Sequence, residues 1–264
     1  MSEKIKVPTM QELAASGNSA EILFWVGCAG SFDDRAKKIT KAVVQILNKC
    51  EVSYAVLGTE ETCSGDPAKR AGNEFLFQMQ AFQNIQLLNG YDVKKIVTAC
   101  PHCFNTLKNE YPELGGTYEV IHHSQLIQDL INSGKLAVQG GGQFKGKRIT
   151  FHDPCYLGRA NNVYEAPREI LSRLDAELVE MKRCRTKGLC CGAGGAQMFK
   201  EAEAGNKEVN IERTEDALET RPDVIATGCP FCNTMMTDGV KNFNKEGEIQ
   251  TLDIAELIAQ AADL

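Results

Sequence analysis

Nine of the eleven cysteines in this 264-residue chain fall into two spaced groups. The later group, Cys155, Cys190, Cys191, Cys229 and Cys232, reads C-x34-CC-x37-C-x2-C. The earlier one, Cys28, Cys63, Cys100 and Cys103, is one member short, because Thr62 stands where the first of the paired cysteines would be. Disulfides explain such a set poorly, since a chain of this length needs no staple and reducing compartments keep thiols free. Thiolates are soft ligands suited to iron–sulfur clusters or zinc. Four complete a [4Fe–4S] cube or a structural zinc site. A fifth implies either a bridging thiolate in an unusual cluster or a free thiol kept beside the metal. The four earlier cysteines suit a conventional [4Fe–4S] cube serving as an electron relay, with zinc or a variant cluster as alternatives. For neighbouring Cys190 and Cys191 to converge the backbone must turn sharply, which Gly192, Gly194 and Gly195 permit. A thioredoxin-like dithiol is the usual rival reading of a C-x2-C pair, and two copies tied to further cysteines argue against it.

The cysteines also expose a duplication. Val26-Gly27-Cys28-Ala29-Gly30 answers to Asp153-Pro154-Cys155-Tyr156-Leu157-Gly158, Thr62-Cys63-Ser64-Gly65 to Cys190-Cys191-Gly192-Ala193-Gly194, and the Cys100-Pro101-His102-Cys103 run to Cys229-Pro230-Phe231-Cys232. Matched cysteines lie 127, 128 and 129 residues apart. So steady an offset is what a duplicated folding unit produces. The expected organisation is a polar N-terminal linker over 1–20, a first cysteine-rich half-domain over 21–145 with the degenerate motif, and a second over 146–264 with the full one. Gly140-Gly141-Gly142 marks the joint.

Within each half, short apolar β-rich runs alternate with longer amphipathic ones. That pattern predicts an α/β fold of two tandem half-domains, each a mostly parallel sheet with flanking helices. Strands are expected at 22–27, 53–57, 95–99 and 118–121, then at 148–152, 177–181, 223–227 and 249–252. Helices are expected at 34–50, about 66–90, 102–110 and 124–133. Cys28, Cys100, Cys155 and Cys229 then follow strands and precede helices. This is the carboxyl edge where open α/β sheets bind ligands and where helix N-termini favour thiolate.

At these residues the sequence resembles the cysteine-rich CCG domain of heterodisulfide reductase catalytic subunits and related bacterial iron–sulfur oxidoreductases, including lactate and glycolate oxidation subunits. The likeness covers nearly the whole chain. It implies that Cys155, Cys190, Cys191, Cys229 and Cys232 bind a noncubane [4Fe–4S] cluster, of the kind at which heterodisulfide reductases cleave a disulfide one electron at a time. The implied function is that of an oxidoreductase subunit, heterodisulfide reductase-like. The alternatives are an electron-transfer subunit of a 2-hydroxy acid or acyl-CoA oxidation complex linked to quinone, and a non-catalytic zinc scaffold.

The remaining candidates are weaker. His152 and Asp153 precede Cys155 closely enough to hydrogen-bond around a cluster or supply a proton. His102 is expected beside the ligands rather than among them, and His122 and His123 have no metal-directed spacing. Cys50 ends an amphipathic helix as a small core hydrophobe, and Cys184 has no counterpart in the first half. Gly192–Gly195 lacks the lysine and the spacing of a nucleotide-binding loop. Arg35, Lys37, Lys38 and Lys41 read as a solvated helix face.

Formal charge is −6, and no basic stripe suits nucleic acid. The longest apolar runs, 22–26 and 96–99, are far short of the roughly 20 residues that span a bilayer, and the first 20 residues lack a secretory signal. The expected location is the cytoplasm, peripheral to the inner membrane through a partner. The sequence carries no C-x2-C-x2-C-x3-C-P run. Electrons are therefore expected from a ferredoxin-like or membrane-anchored subunit.

Overall fold

The computed structural model of the chain describes residues 5–138, 142–201 and 204–264. Residues 7–20, read as linker, carry a short helix α1 (Met10–Ala15), and Thr9 bridges Val56 in parallel. The first half then runs β1 (Ile22–Trp25), α2 (Gly27–Phe32), α3 (Ala36–Lys49), β2 (Tyr54–Ala55), α4 (Asp66–Arg70), α5 (Glu74–Gly90), β3 (Lys95–Thr98), α6 (Pro101–Asn105), β4 (Glu119–His122) and α7 (His123–Asn132). The second half repeats the plan with β5 (Arg148–Phe151), α8 (Glu165–Leu171), β6 (Glu177–Leu178), α9 (Val209–Glu219), β7 (Val224–Thr227), α10 (Pro230–Asn242), β8 (Gln250–Asp253) and α11 (Ile254–Ala261). All eight expected strands form. Gly140 and Gly141 of the expected joint lie outside the described residues.

The two sheets are wholly parallel, with orders β2-β1-β3-β4 and β6-β5-β7-β8. Helices cover both faces, so every residue of β1 and β7 is buried and the strands read as continuous apolar runs rather than alternating ones. In each order the crossover direction reverses between the two central strands. That switch point opens a crevice at their carboxyl ends. Cys28 and Cys100 follow the central pair of the first sheet, and Cys155 and Cys229 that of the second.

Of the long helices expected in the first half, the 34–50 one forms whole and the 66–90 one is divided. The 34–50 helix begins at Ala36, after a separate turn at Gly27–Phe32 that carries Cys28. The 66–90 helix breaks at Gly72, where φ is +84°, and restarts with Asn73 accepting a hydrogen bond from the Leu76 N–H. Strand β1 ends before Val26 and Gly27 because the Glu61 carboxylate takes both of their N–H groups, at 3.0 and 2.6 Å.

The halves join through one apolar layer. Ile22 and Phe24 of β1 and Ile39, Val43 and Leu47 of α3 share it with Ile149 and Phe151 of β5 and Leu257 and Ile258 of α11. The contacts are reciprocal: α3 lies against α11, and α7 against α8. Each half thus packs the helix after its first central strand on the last helix of the other, as an approximate two-fold axis requires. Arg35, expected on a solvated face, instead crosses this joint to Glu256 in a bidentate pair at 2.8 Å and donates to the Thr251 carbonyl. A long-range partner 221 residues away overrides the local charge pattern.

Candidate metal centre

In the first half four thiols converge from three loops. Cys28 lies in α2, Cys100 caps α6 with Pro101 at its first position, and Cys103 lies one turn inside. Gly65, with φ +91°, turns the loop after Cys63 so that its N–H points back at the Cys63 sulfur, 3.4 Å away. Ser64 Oγ lies 3.5 Å from Cys103 Sγ. The Cys28 thiol hydrogen-bonds Cys63, which holds Cys63 down to about 6, aided by the Gly65 N–H and against its burial. Thr62 points elsewhere: its hydroxyl donates to Asn84, which also holds the Cys63 carbonyl and the Tyr111 hydroxyl.

The second half gathers five. Gly192 (φ +93°) directs its N–H to Cys190 Sγ at 3.3 Å, while Cys191 Sγ meets Cys232 Sγ at 3.3 Å, so the adjacent pair does converge. Cys190 hydrogen-bonds both Cys155 and Cys191, and these thiols push it far down despite its burial. Burial opposes ionisation of Cys229, but the Cys100 and Cys232 thiols and the backbone N–H groups of Cys232 and Phe231 outweigh it and hold Cys229 down to about 5. The first half therefore places one stabilised thiolate, and the second half two, among raised thiols. So dense a set of sulfurs shares charge poorly unless a cation joins them.

The Cys100–Cys229 contact crosses the halves, so the two thiol groups adjoin. His102 sits at this seam, with Nδ1 3.8 Å from Cys100 Sγ and its ring 4.8 Å from Tyr156 and 5.4 Å from Phe231. Behind the seam His122 and His123, for which the sequence suggested no role, form a buried chain. His122 Nε2 faces the Ala99 carbonyl at 3.3 Å and His123 Nδ1 at 3.1 Å, and His123 Nε2 reaches Asp253 Oδ1 at 2.8 Å. Asp253 occupies the β8 register position that His122 occupies in β4.

His152 and Asp153 differ in their surroundings. Asp153 is claimed by the fork of Arg168, at 2.8 and 2.9 Å, and by the Arg185 N–H at 2.7 Å. Burial would raise its carboxyl, yet Arg168 holds it below the usual range, so it anchors the Cys155 loop as a carboxylate. His152 is fully buried and accepts from Arg213 Nε at 2.9 Å; burial and the Arg213 charge push it down to about 3. Neither arginine was singled out from the sequence, where both look like ordinary helix-surface residues. Of the two remaining cysteines, Cys50 is buried in the apolar layer with its thiol toward the Lys135 carbonyl. Cys184 faces Glu180, Asp153, Arg168 and Arg185.

Four buried side-chain N–H groups lack an acceptor among the described residues: Arg148 Nε, at the start of β5, and Trp25 Nε1, His152 Nε2 and Arg213 Nη2, the last three on the side of the thiols. Buried donors are almost always satisfied, so an acceptor-rich, negatively charged group fits beside those three. A sulfur-rich metal cluster has that character, and the all-thiol donor set fits it too. Beside Gly192 a cleft of about 920 Å³ opens between Met198, Lys200, Asn210, Thr234 and Met235.

Fold and thiol arrangement together define a duplicated α/β protein that gathers thiolates at two adjoining sheet switch points. The chain belongs to the cysteine-rich domain family designated CCG, whose pattern matches twice, over residues 22–108 and 149–237. It is 48% identical over 257 residues to the Bacillus subtilis (strain 168) protein named probable iron–sulfur-binding oxidoreductase FadF, covering 97% of this chain and 36% of that protein. It is 43% identical over 257 residues to the EtfAB:quinone oxidoreductase of Syntrophomonas wolfei, covering 95% and 36%. With a subunit of the dihydromethanophenazine:CoB–CoM heterodisulfide reductase of Methanosarcina barkeri the identity is 34% over 258 residues, covering 94% and 60%. The chain thus spans 36% of the length of the first two relatives. Among the described residues no helix is long and apolar enough to cross a membrane.

Proposed function

We propose that this chain is the iron–sulfur module of a redox complex and carries two clusters side by side. Cys155, Cys190, Cys191, Cys229 and Cys232 hold a noncubane [4Fe–4S] cluster, and Cys28, Cys63, Cys100 and Cys103 a second [4Fe–4S] cluster. The observation that carries this reading is the meeting of Cys100 and Cys229, which leaves no protein layer between the two sulfur groups. Bound clusters supply one-electron chemistry. The protein's own contribution is to bury the sulfurs, aim N–H donors at them and open the cleft beside Gly192 to a reactant.

In the first reading that reactant is a disulfide, as the name of the heterodisulfide reductase relative suggests. In the second the module passes electrons from acyl-CoA or 2-hydroxy acid oxidation toward quinone. The relative named EtfAB:quinone oxidoreductase, at 43% identity, favours this second reading. Either way a ferredoxin-like or membrane-anchored segment or subunit exchanges electrons with the module, which sits in the cytoplasm against the membrane. A relative named probable membrane-anchored ferredoxin supports that arrangement. Anaerobic purification followed by iron, acid-labile sulfide and zinc analysis tests the proposal. About eight irons and eight sulfides per chain are expected from two four-iron clusters. Zinc without iron or sulfide, under conditions that supply cluster assembly, overturns it in favour of a metal-stapled scaffold.

A further inference from the structure

Each half places a buried aromatic N–H without an acceptor, among the described residues, three positions before its first cysteine. Trp25 precedes Cys28 and His152 precedes Cys155, and the unpaired atoms are Trp25 Nε1 and His152 Nε2. The two positions are structurally equivalent. Ile22 and Phe24 of β1, like Ile149 and Phe151 of β5, enter the layer between the halves. Strand alternation therefore turns Trp25 and His152 to the opposite side. In the first half that side is lined by Cys100 and Cys103, which share an apolar cluster with Trp25. Indole N–H is a donor only, so Trp25 can hydrogen-bond a sulfur but never ligate a metal.

His152 could in principle do either, and Arg213 decides. Its guanidinium donates Nε–H to His152 Nδ1 at 2.9 Å from a fully buried position. A guanidinium has no acceptor atom, so Nδ1 must present its lone pair and the ring proton must sit on Nε2. Arg213 is itself fixed, donating to the Arg183 carbonyl at 2.6 Å and to Asp216 at 3.3 Å. A ring nitrogen of His152 lies within 4.8 Å of Cys191 Sγ and Cys232 Sγ. With Nδ1 engaged by Arg213, the nitrogen left to face a bound group is Nε2, and it carries a proton rather than a free lone pair.

We propose that His152 is a positioning residue for the second-half cluster and not a ligand to it, its unpartnered Nε2–H left to donate to sulfur of the bound cluster beside Cys191 and Cys232 while Arg213 locks the tautomer. The assignment rests on the iron–sulfur reading above. A donor aimed at cluster sulfur stabilises the added negative charge of the reduced form and so raises the potential. Trp25 would do the same for the first half.

The test uses the anaerobically loaded full chain, prepared in H2O and in D2O, with pulsed EPR of the second-half cluster and redox titration of both clusters. The wild type is expected to show an exchangeable proton and a weak nitrogen coupling. In His152→Leu the imidazole nitrogen and its exchangeable proton are lost from the spectrum while those of the Gly192, Phe231 and Cys232 backbone N–H groups remain, and the reduced-to-oxidised ratio of that cluster at fixed potential falls about tenfold, or about 59 mV for one electron. The first-half cluster stays unmoved, and His152→Gln, which keeps a donor N–H, recovers most of the shift. A strong nitrogen coupling in the wild type, diagnostic of direct ligation, overturns the inference, as does an unchanged potential in loaded His152→Leu. Because the wild-type spectrum suffices, the idea survives or falls even if the variants do not fold. A chain that loads neither iron nor sulfide overturns the iron–sulfur reading and this inference with it.

Discussion

Replacing Arg168 with methionine should unfasten the Cys155 loop by a mechanism whose size and pH dependence can both be worked out. Arg168 is 6% exposed and forks twice, to Asp153 at 2.8 and 2.9 Å and to Glu180 at 2.6 and 2.9 Å. The Glu180 side chain, 35% exposed, can turn to water when the arginine is lost. Asp153, 4% exposed, cannot, and keeps only the Arg185 N–H. Removing one partner of a buried pair costs about 3–5 kcal/mol, mostly the desolvation of the stranded charge. At a urea slope of about 3 kcal/mol/M the midpoint moves down by about 1–2 M. The assay is urea unfolding of the loaded protein under anaerobic conditions, followed by far-UV circular dichroism.

The sign of the pH dependence follows from Asp153. In the wild type its carboxyl lies below its ordinary value, so its contribution is present above the unfolded pKa and is lost as pH falls through the folded one. In Arg168→Met burial, the largest influence on the group, is opposed only by the Arg185 N–H and His152 and raises it, which reverses the sign: the penalty is full near neutrality and shrinks as acid protonates the carboxyl. Adding Asp153→Asn should restore more than half of the lost stability at neutral pH, because it removes the stranded charge. A loss below about 1 kcal/mol, or one that neither falls with acid nor yields to Asp153→Asn, would refute the buried-pair account.

Changing Cys190 and Cys191 together to serine should lower iron from about eight to about four per chain, read by iron and sulfide analysis, with the first-half cluster retained. Cys50→Ser should leave the iron content unchanged, since that thiol faces the Lys135 carbonyl in the apolar layer. Asp253→Leu should cost about 1–3 kcal/mol by stranding the buried His123 Nε2–H, which donates to it across the halves; urea midpoints measure the loss. Arg35→Ala should cost about 3 kcal/mol by the same measure, because it leaves the Glu256 carboxylate, 7% exposed, with only the Asp253 N–H.

Much of the architecture was legible because it is written in one-dimensional properties. Every expected strand forms, and the most legible are the central β1 and β7, which are covered on both faces and so read as continuous apolar runs. The near-constant offset of matched cysteines reported the duplication before any contact was known. The break inside the 66–90 helix at Gly72 was not legible, nor was the separate turn at Gly27–Phe32 that carries Cys28 ahead of the 34–50 helix. The Cys190–Cys191 convergence could be anticipated, because adjacent side chains meet only if a glycine with positive φ follows, and Gly192 is there.

By itself, then, the sequence determined the candidate thiols, their grouping by half and their position at the carboxyl edges of two parallel sheets, because residue type, spacing and periodicity are local. Tertiary packing alone decided what each donor faces. The reciprocal docking of the halves sets Cys100 against Cys229 and His123 against Asp253, over separations of 129 and 130 residues. Arg168 turns Asp153 into an anchor from 15 residues away, and Arg213 assigns the His152 proton from 61 away. Hydrogen-bond partners across such distances depend on where folded elements meet, and no local pattern carries that information.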